Sequence, residues 1–211
     1  MGPRNVDFSL YLVTDQNETR GRSLTEVIGE CLGAGLRAVQ LREKALSAAE
    51  LLRVAQPLRE LTRQSGAKLF INDRADVALA IEADGIQRAH HSLPTAVLRR
   101  IAGSAMLIGV SVHSVEEART AERDGADFIV FGPVYDTPSK RPFGASLGID
   151  ALARGVAAVT IPVFAIGGIT PERVHAVKAA GARGVAVIRG IISAERPGDA
   201  TRAFLDALGS A

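Results

Sequence analysis

Short apolar runs alternate with longer segments of helical periodicity about eight times along this chain. Most of the runs are almost continuously apolar, as expected for parallel strands that are buried on both faces. The predicted strands are Phe8–Val13, Ala38–Leu41, Lys68–Ile71, Gly85–Gln87, Met106–Val110, Phe128–Phe131, Pro162–Ala165 and Gly184–Val187.

Helix starts between these runs are marked by capping residues. Ser23, Ser47 and Ser114 are each followed three positions later by a glutamate, which is the form of a capping box. Thr170-Pro171 places a capping side chain before a proline at the first helical position. The alternation of strands and helices predicts an α/β fold, and its repeats favour a single (β/α)8 TIM barrel domain spanning residues 1–211.

A doubly wound open sheet is the alternative fold. Such a sheet usually carries a glycine-rich phosphate loop after its first strand. Here that position reads Thr14-Asp15-Gln16-Asn17, which contains no glycine. We therefore prefer the barrel, whose functional groups lie at the carboxyl ends of its strands.

Composition and charge narrow the class of protein. The 211 residues are 47% hydrophobic, and the net charge of +2 comes from scattered basic residues, so no nucleic-acid partner is expected. No apolar run reaches the length of a membrane span, and Met1–Asn5 lacks the apolar core of a signal peptide. The single cysteine, Cys31, cannot form an internal disulfide. We expect a soluble cytoplasmic protein with no membrane partner.

Polar side chains follow the second predicted strand. If strand alternation continues through Gln40-Leu41-Arg42-Glu43-Lys44, then Gln40, Arg42 and Lys44 point to one side. Two cations and an amide at a barrel mouth form an anion site, because such groups are costly to bury without a partner. Ordinary surface charge before a helix is the alternative interpretation.

Glycine-bearing loops follow the seventh and eighth predicted strands. Backbone N–H groups near a helix start favour anions, and barrels often bind phosphate with these two loops. We therefore predict that Gly167, Gly168, Ile188 and Arg189 bind a phosphate. Tight turns without a ligand are the alternative interpretation.

His113 is the candidate acid–base residue. It follows the fifth strand and precedes a helix, so in a barrel it lies at the catalytic rim. Histidine titrates near neutral pH and moves protons without a metal. A structural residue at a helix start is the alternative interpretation.

No resident metal site is predicted. Asp73 could hold a divalent ion, but no clear second carboxylate accompanies it, and an ion pair with Arg74 or Arg42 is the structural alternative. His90 and His91 are adjacent, so their side chains rarely face the same way, and no Cys/Asp cluster accompanies them.

Seven segments, in their order along the chain, resemble signatures of the thiamine phosphate synthase/TenI superfamily. They are Gln40–Lys44, Asn72–Arg74, Ala83–Gly85, Gly109–Ser111, Gly125–Asp127, Phe131–Pro133 and Ile166–Pro171. The resemblance covers nearly the whole chain. It implies a (β/α)8 barrel that binds a thiazole phosphate with the loops after strands seven and eight.

The resemblance implies one of two activities. The synthase joins a pyrimidine pyrophosphate to a thiazole phosphate with Mg²⁺, and an aspartate that binds the metal stands where this chain has Ser92. The synthase also carries serine where Arg189 stands and a Thr-x-Thr-Lys loop in place of Thr137-Pro-Ser-Lys140. In contrast, Ser111–Ser114 looks like the thiazole tautomerase branch, which uses this histidine as its acid–base residue. Asp73 still matches the synthase.

We therefore predict a thiazole tautomerase, an isomerase that aromatises the thiazole carboxylate phosphate tautomer and needs no cofactor. His113 would remove a proton from the ring carbon and return one to the exocyclic carbon. The predicted substrate-binding side chains are Gln40, Arg42, Lys44, Thr137 and Lys140.

Two alternatives stay open. The first is the Mg²⁺-dependent synthase, which would require magnesium as a cofactor. The second is a non-catalytic barrel that binds a phosphorylated ligand. In each case the partner is a small phosphorylated molecule, and a homo-oligomer is left open.

Overall fold

A computed structural model describes residues 5–89, 92–137 and 145–209. Within these ranges the strands form a closed parallel barrel in the order β1 to β8, with β8 pairing back to β1. The strands are β1 Leu10–Val13, β2 Ala38–Leu41, β3 Lys68–Asn72, β4 Gly85–Arg88, β5 Leu107–Val112, β6 Phe128–Phe131, β7 Val163–Ile166 and β8 Gly184–Val187. The predicted (β/α)8 barrel is confirmed.

Helices follow the strands on the outside of the barrel. They are α1 Leu24–Gly33, α2 Ala48–Gln64, α3 Ala75–Ala80, α4 Thr95–Ala102, α5 Val115–Arg123, α6 Ile149–Ala157, α7 Pro171–Ala179, α8 Arg189–Ile192 and α9 Pro197–Leu208. Ser23, Ser47 and Ser114 each cap a helix by accepting a hydrogen bond from the backbone N–H of the glutamate three positions later. Among the described residues, no helix is long and apolar enough to cross a membrane.

The barrel interior is filled by aromatic rings, although only 4% of the chain is aromatic. Phe8, Tyr11, Phe70, Phe128 and Phe164 pack against one another, with ring centroids 5.0 Å apart for Phe8 and Phe164 and 5.4 Å apart for Phe70 and Phe128. We call these five rings the aromatic plug. The layer between strands and helices is in contrast mostly aliphatic. The plug closes the barrel below the carboxyl ends of the strands.

Two glycines on neighbouring strands make room for the plug. A Cβ at Gly85 would lie 2.5 Å from the Phe70 ring, and a Cβ at Gly109 would lie 2.3 Å from Phe128 Cζ. Both distances are too short for real contacts, so glycine is required by packing. The Ala83–Gly85 and Gly109–Ser111 signatures therefore carry packing information.

Strand β5 is longer than predicted. It continues beyond Val110 to Val112, because Ser111 pairs with Val130 of β6. Ser111 therefore lies within the barrel wall, and His113 is the first residue after the strand.

Candidate functional site

A layer of polar side chains lies directly above the aromatic plug. The Tyr11 hydroxyl donates to Gln87 Oε1 at 3.3 Å, and Gln87 Nε2 donates to Ser111 Oγ at 3.1 Å. On the neighbouring strands, Gln40 Nε2 donates to Asn72 Oδ1 at 2.8 Å. Burial raises the pKa of Tyr11 well above its ordinary value, so its hydroxyl serves as a neutral donor. We call these five side chains the polar floor.

The loop after β2 places its charged residues differently from the prediction. Strand β2 ends at Leu41, so its alternation does not extend through the loop. Gln40 is buried, Arg42 is half-buried and Lys44 is exposed, so they do not form one uniform inward-facing row. Glu43, which the sequence reasoning did not consider, is 8% exposed.

Glu43 is held by the loop after β1. Its Oε1 accepts from Thr14 Oγ1 at 2.6 Å, and its Oε2 accepts from the Gln16 backbone N–H at 3.0 Å. The Arg42 N–H in turn donates to Thr14 Oγ1 at 2.9 Å. Burial raises the pKa of Glu43, and the two hydrogen bonds oppose that shift. The one signal in the sequence was a carboxylate between two cations.

Asp73 lies at the end of β3 in a left-handed backbone conformation, with φ of 61°. Its Oδ2 accepts from Asn72 Nδ2 at 2.8 Å, and its Oδ1 accepts from the Ala89 N–H at 3.1 Å and from the Ser92 hydroxyl. Asp73 therefore bonds to the loop after β4, while Arg74 pairs with Asp76 instead. The predicted Asp73–Arg74 and Asp73–Arg42 pairs are not among the ion pairs of the described residues.

Asp73 and Ser92 fit a magnesium ion only if phosphate oxygens and water supply the other ligands. One carboxylate and one hydroxyl supply few protein oxygens, but Mg²⁺ sites commonly use one or two carboxylates together with phosphate oxygens and water. Within the described ranges, no group of three or more His, Cys, Asp or Glu side chains is placed to hold a metal. His90 and His91 lie outside the described residues.

The loop after β7 packs tightly on the loop after β6. Gly167 and Gly168 have φ of 100° and 62°, and a Cβ on Gly167 would lie 2.6 Å from Pro133 Cβ. The Gly167 carbonyl accepts from the Tyr135 N–H at 3.0 Å, and the Arg173 guanidinium lies 4.5 Å from the centroid of the Tyr135 ring. Packing alone thus accounts for both glycines, and their phosphate role stays a prediction.

Arg189 begins α8 and points to the loop after β1. Its Nη2 lies 2.6 Å from Glu18 Oε1, and Ser193 Oγ donates to Glu18 Oε2 at 3.2 Å. The Arg189 side chain is 49% exposed, and its guanidinium already has an anionic partner. Ile188 immediately precedes α8. Local sequence gave no signal for Glu18, because it lies 171 residues from Arg189.

His113 is exposed at the end of β5. Its backbone N–H donates to Glu117 Oε2 at 2.7 Å, and its ring Nδ1 lies 2.5 Å from the Gly132 carbonyl oxygen. Because a carbonyl only accepts, Nδ1 is the donor in this contact. Thr137 is half-buried at the edge of the described chain, and Lys140 lies outside the described residues.

Relatives of this chain carry one activity in their names. The thiamine-phosphate synthase of Roseiflexus castenholzii is 42% identical over 197 residues, covering 93% of this chain and 86% of the relative. A Geobacter sulfurreducens protein, provisionally named for the same activity, is 50% identical over 200 residues, covering 95% of this chain and 94% of its own. A solved Pyrococcus furiosus thiamine phosphate pyrophosphorylase superposes with a TM-score of 0.88 at 36% identity, covering 95% of each chain.

These names contradict the predicted thiazole tautomerase. Ser92, Arg189, the Thr137–Lys140 loop and the His113 segment favour an isomerase, whereas relatives that are 42–50% identical over 93–95% of this chain are named as synthases. The tautomerase prediction is therefore wrong, as is the isomerase class. One of these positions also has a structural explanation, because the Arg189 side chain pairs with Glu18.

The sequence pattern described as thiamine monophosphate synthase matches residues 10–191. The matched segment starts at the first residue of β1 and ends within α8, so it spans every strand of the barrel. It also includes every residue of the polar floor. The chain therefore belongs to the thiamine monophosphate synthase (TMP-TENI) family.

Proposed function

We propose that this protein is a thiamine-phosphate synthase, which joins a pyrimidine diphosphate to a thiazole phosphate and releases inorganic pyrophosphate. The observation that carries the proposal is 42–50% identity to proteins named for this activity, over 93–95% of this chain. The solved archaeal relative, at 36% identity, supports the same activity. Fold alone would not, because barrels host many chemistries.

The reaction exchanges one bond at one carbon. The thiazole ring nitrogen forms a bond to the methylene carbon of the pyrimidine, and the bond from that carbon to the diphosphate oxygen breaks. The diphosphate leaves with the electron pair, so negative charge grows on its oxygens. The site must therefore hold the two substrates in line and stabilise a departing anion.

The polar floor and Arg42 suit the pyrimidine diphosphate. Gln40 and Asn72 present amide donors and acceptors beside each other, which matches the mixed donors and acceptors of an aminopyrimidine edge. Arg42 follows the same strand as Gln40 and would stabilise the diphosphate, with Lys44 more exposed beyond it. Ring recognition and charge stabilisation would thus come from the same edge of the barrel.

Asp73, with the Ser92 hydroxyl beside it, would hold a magnesium ion together with diphosphate oxygens. When bound, the ion would neutralise charge on the leaving diphosphate. Asp73 is kept in place for this role by the Ala89 N–H and Asn72 Nδ2. Cofactor-free chemistry was predicted only for the tautomerase, so magnesium becomes part of this proposal.

The thiazole phosphate would bind at the loops after β7 and β8. Gly167 and Gly168 lie shortly before the start of α7 at Pro171, and Ile188 and Arg189 lead into α8. Arg189 would contribute little charge, since Glu18 already occupies it. Thr137 and Lys140, from the loop after β6, stay predicted substrate contacts.

A homo-oligomer also stays a proposal. Leu79, Leu93 and Ile101 are 48%, 48% and 41% exposed and line one cavity of about 430 Å³ between α3 and α4. Asp73, Arg74 and Asp76 line the same cavity, so its surface combines apolar and charged groups. Exposed apolar side chains often mark contact surfaces, so a second copy would pack on Leu79, Leu93 and Ile101. Light scattering on the protein and on Leu93→Glu tests this, and a monomer in both samples would reject it. The cytoplasmic location stays a prediction as well.

The test is a coupling assay with purified protein, the pyrimidine diphosphate, the thiazole phosphate and Mg²⁺. We expect thiamine phosphate and pyrophosphate to appear in equal amounts, and removal of Mg²⁺ by a chelator to stop both. Ligand binding without any product would reject the synthase and favour the non-catalytic barrel. The chelated sample also measures the background reaction.

A further inference from the structure

We propose that Thr14 and Glu43 are positioning residues that set Arg42 for the diphosphate of the substrate, an inference that rests on the proposed function. Neither side chain has to touch the substrate. Together with the Arg42 N–H and the Gln16 N–H, they form a hydrogen-bonded unit between the loops after β1 and β2. We call this unit the clasp.

The clasp begins where backbone pairing between β1 and β2 stops. The strands align Val13 with Gln40, and the Thr14 N–H donates to the Gln40 carbonyl at 2.9 Å. Just beyond the end of β2, the Arg42 N–H bonds to the Thr14 side chain instead of to backbone. The Thr14 hydroxyl therefore extends the strand pairing by one step and fixes the backbone from which the Arg42 side chain leaves.

The clasp also keeps a negative charge away from an anion site. Glu43 lies between Arg42 and Lys44 in sequence, and a carboxylate turned toward the mouth would repel a diphosphate. Instead it is 8% exposed and bonded to Thr14 and Gln16. Because the Glu43 carboxylate bonds to the loop after β1, Arg42 and Lys44 are the charged residues of this stretch that can face an anion.

A purely structural clasp would make a different prediction. If it only stabilised the loop, its loss would lower the unfolding temperature and leave ligand affinities of the folded protein unchanged. A positioning role instead changes diphosphate affinity and spares the thiazole phosphate, which would bind at the loops after β7 and β8. Affinity for inorganic pyrophosphate with Mg²⁺ therefore separates the two.

The decisive variant is Thr14→Val. Thr14 is fully buried, and valine keeps nearly the same volume while removing both hydrogen bonds of the hydroxyl. By calorimetry we expect the Kd for pyrophosphate to rise about tenfold, as for the loss of a hydrogen bond to a charged group. The KM for the diphosphate substrate should rise in parallel, and the KM for thiazole phosphate should stay within about twofold.

Two further variants test whether a change in pyrophosphate affinity comes from the clasp or from a general loss of stability. Glu43→Gln keeps the shape and can still accept from the Gln16 N–H, so it should bind pyrophosphate more tightly than Glu43→Ala does. Ser47→Ala removes a hydroxyl–carboxylate pair with Glu50 nearby on the same connection, but an exposed one. It should lower the unfolding temperature slightly without changing the pyrophosphate Kd.

The outcomes separate the two proposals. Three results would overturn the positioning role of the clasp. They are an unchanged pyrophosphate Kd in folded Thr14→Val, an equal rise in the Kd of Ser47→Ala, and no pyrophosphate binding by the unaltered protein. If pyrophosphate binds and weakens as expected but no thiamine phosphate forms, then the synthase fails while the positioning of Arg42 stands.

Discussion

Carboxylates bond to neighbouring backbone at both ends of the barrel, but with different consequences. At the amino ends of the strands, Asp84 accepts from the Leu69 N–H at 2.8 Å and Asp127 accepts from the Ile108 N–H at 2.7 Å, each with an arginine partner. At the carboxyl ends, Glu43 and Asp73 accept from the Gln16 and Ala89 N–H groups, beside the proposed substrates. This type of bond stabilises the fold at the amino ends of the strands, and under the proposed function it orders the substrate site at the carboxyl ends.

The largest effect is expected at the amino end. Asp127→Ala removes the carboxylate partner of the Arg99 side chain, which is only 19% exposed, and leaves the guanidinium bonded to backbone carbonyls alone. It also removes the acceptor of the Ile108 N–H. We expect the free energy of unfolding to fall by about 3–5 kcal/mol, measured by urea denaturation. The coupling rate of the protein that stays folded should be unchanged.

The matched control is Asp124→Ala, whose partner Arg123 is 71% exposed. Exposed pairs contribute little, so its cost should be below about 1 kcal/mol. Similar losses in the two variants, or a lowered rate in folded Asp127→Ala, would erase the distinction between the ends.

The carboxyl end should respond in rate. Asp73→Ala removes the carboxylate proposed to hold magnesium, so we expect the coupling rate at saturating substrates to fall about 10²-fold or more. The control is Asp76→Ala, which breaks the exposed pair with Arg74 on the next turn. Steady-state kinetics and Mg²⁺ titration measure both, and equal rates in the two variants would contradict the metal role.

Added volume inside the aromatic plug should lower the stability of the whole barrel. In Gly109→Ala the new Cβ would meet Phe128 Cζ and Gln87 Oε1 at 2.3 Å, so we expect a loss of about 1–3 kcal/mol in stability. Gly29→Ala, inside α1 with open space around it, should instead gain up to about 1 kcal/mol. Thermal unfolding compares the two variants. An unchanged unfolding temperature in Gly109→Ala would show that the rings of the plug can shift to make room for a methyl group.

The smallest effect is expected at Arg189. Since its guanidinium is half-exposed and paired with Glu18, Arg189→Ala should change the KM for thiazole phosphate by less than about threefold. A tenfold rise would show that Arg189 leaves Glu18 to bind the phosphate directly.

The fold could be predicted because buried parallel strands read as apolar runs wherever they occur. Gly184–Val187 and Phe128–Phe131 have the predicted bounds, whereas β5 extends to Val112 because Ser111 finds a hydrogen-bond partner in the barrel. The local sequence pattern predicts buried strands from runs of apolar residues. It therefore misses polar residues such as Ser111, whose side chain is hydrogen-bonded within the barrel.

The site was harder to predict, because its decisive contacts join distant parts of the chain. Glu43 bonds to Thr14, and Arg189 pairs with Glu18 across the closure of the barrel. No local periodicity reports such pairs. The predicted activity is wrong for a related reason. Ser92, Arg189, the Thr137–Lys140 loop and the Ser111–Ser114 segment are local departures within a family match that extends over residues 10–191.

The fit between glycine and aromatic ring also constrains how this barrel can evolve. Gly85 faces Phe70, and Gly109 faces Phe128, at distances that admit no added methyl group. At Gly85 the Leu107 carbonyl oxygen also lies 2.6 Å from an added Cβ, so a smaller Phe70 ring would not by itself make room. At Gly109 the other close atom belongs to the Gln87 side chain, so a larger residue there requires changes in both Phe128 and Gln87. Among descendants of this sequence, Gly85 should therefore be retained, and Gly109 should be replaced only together with Phe128 and Gln87.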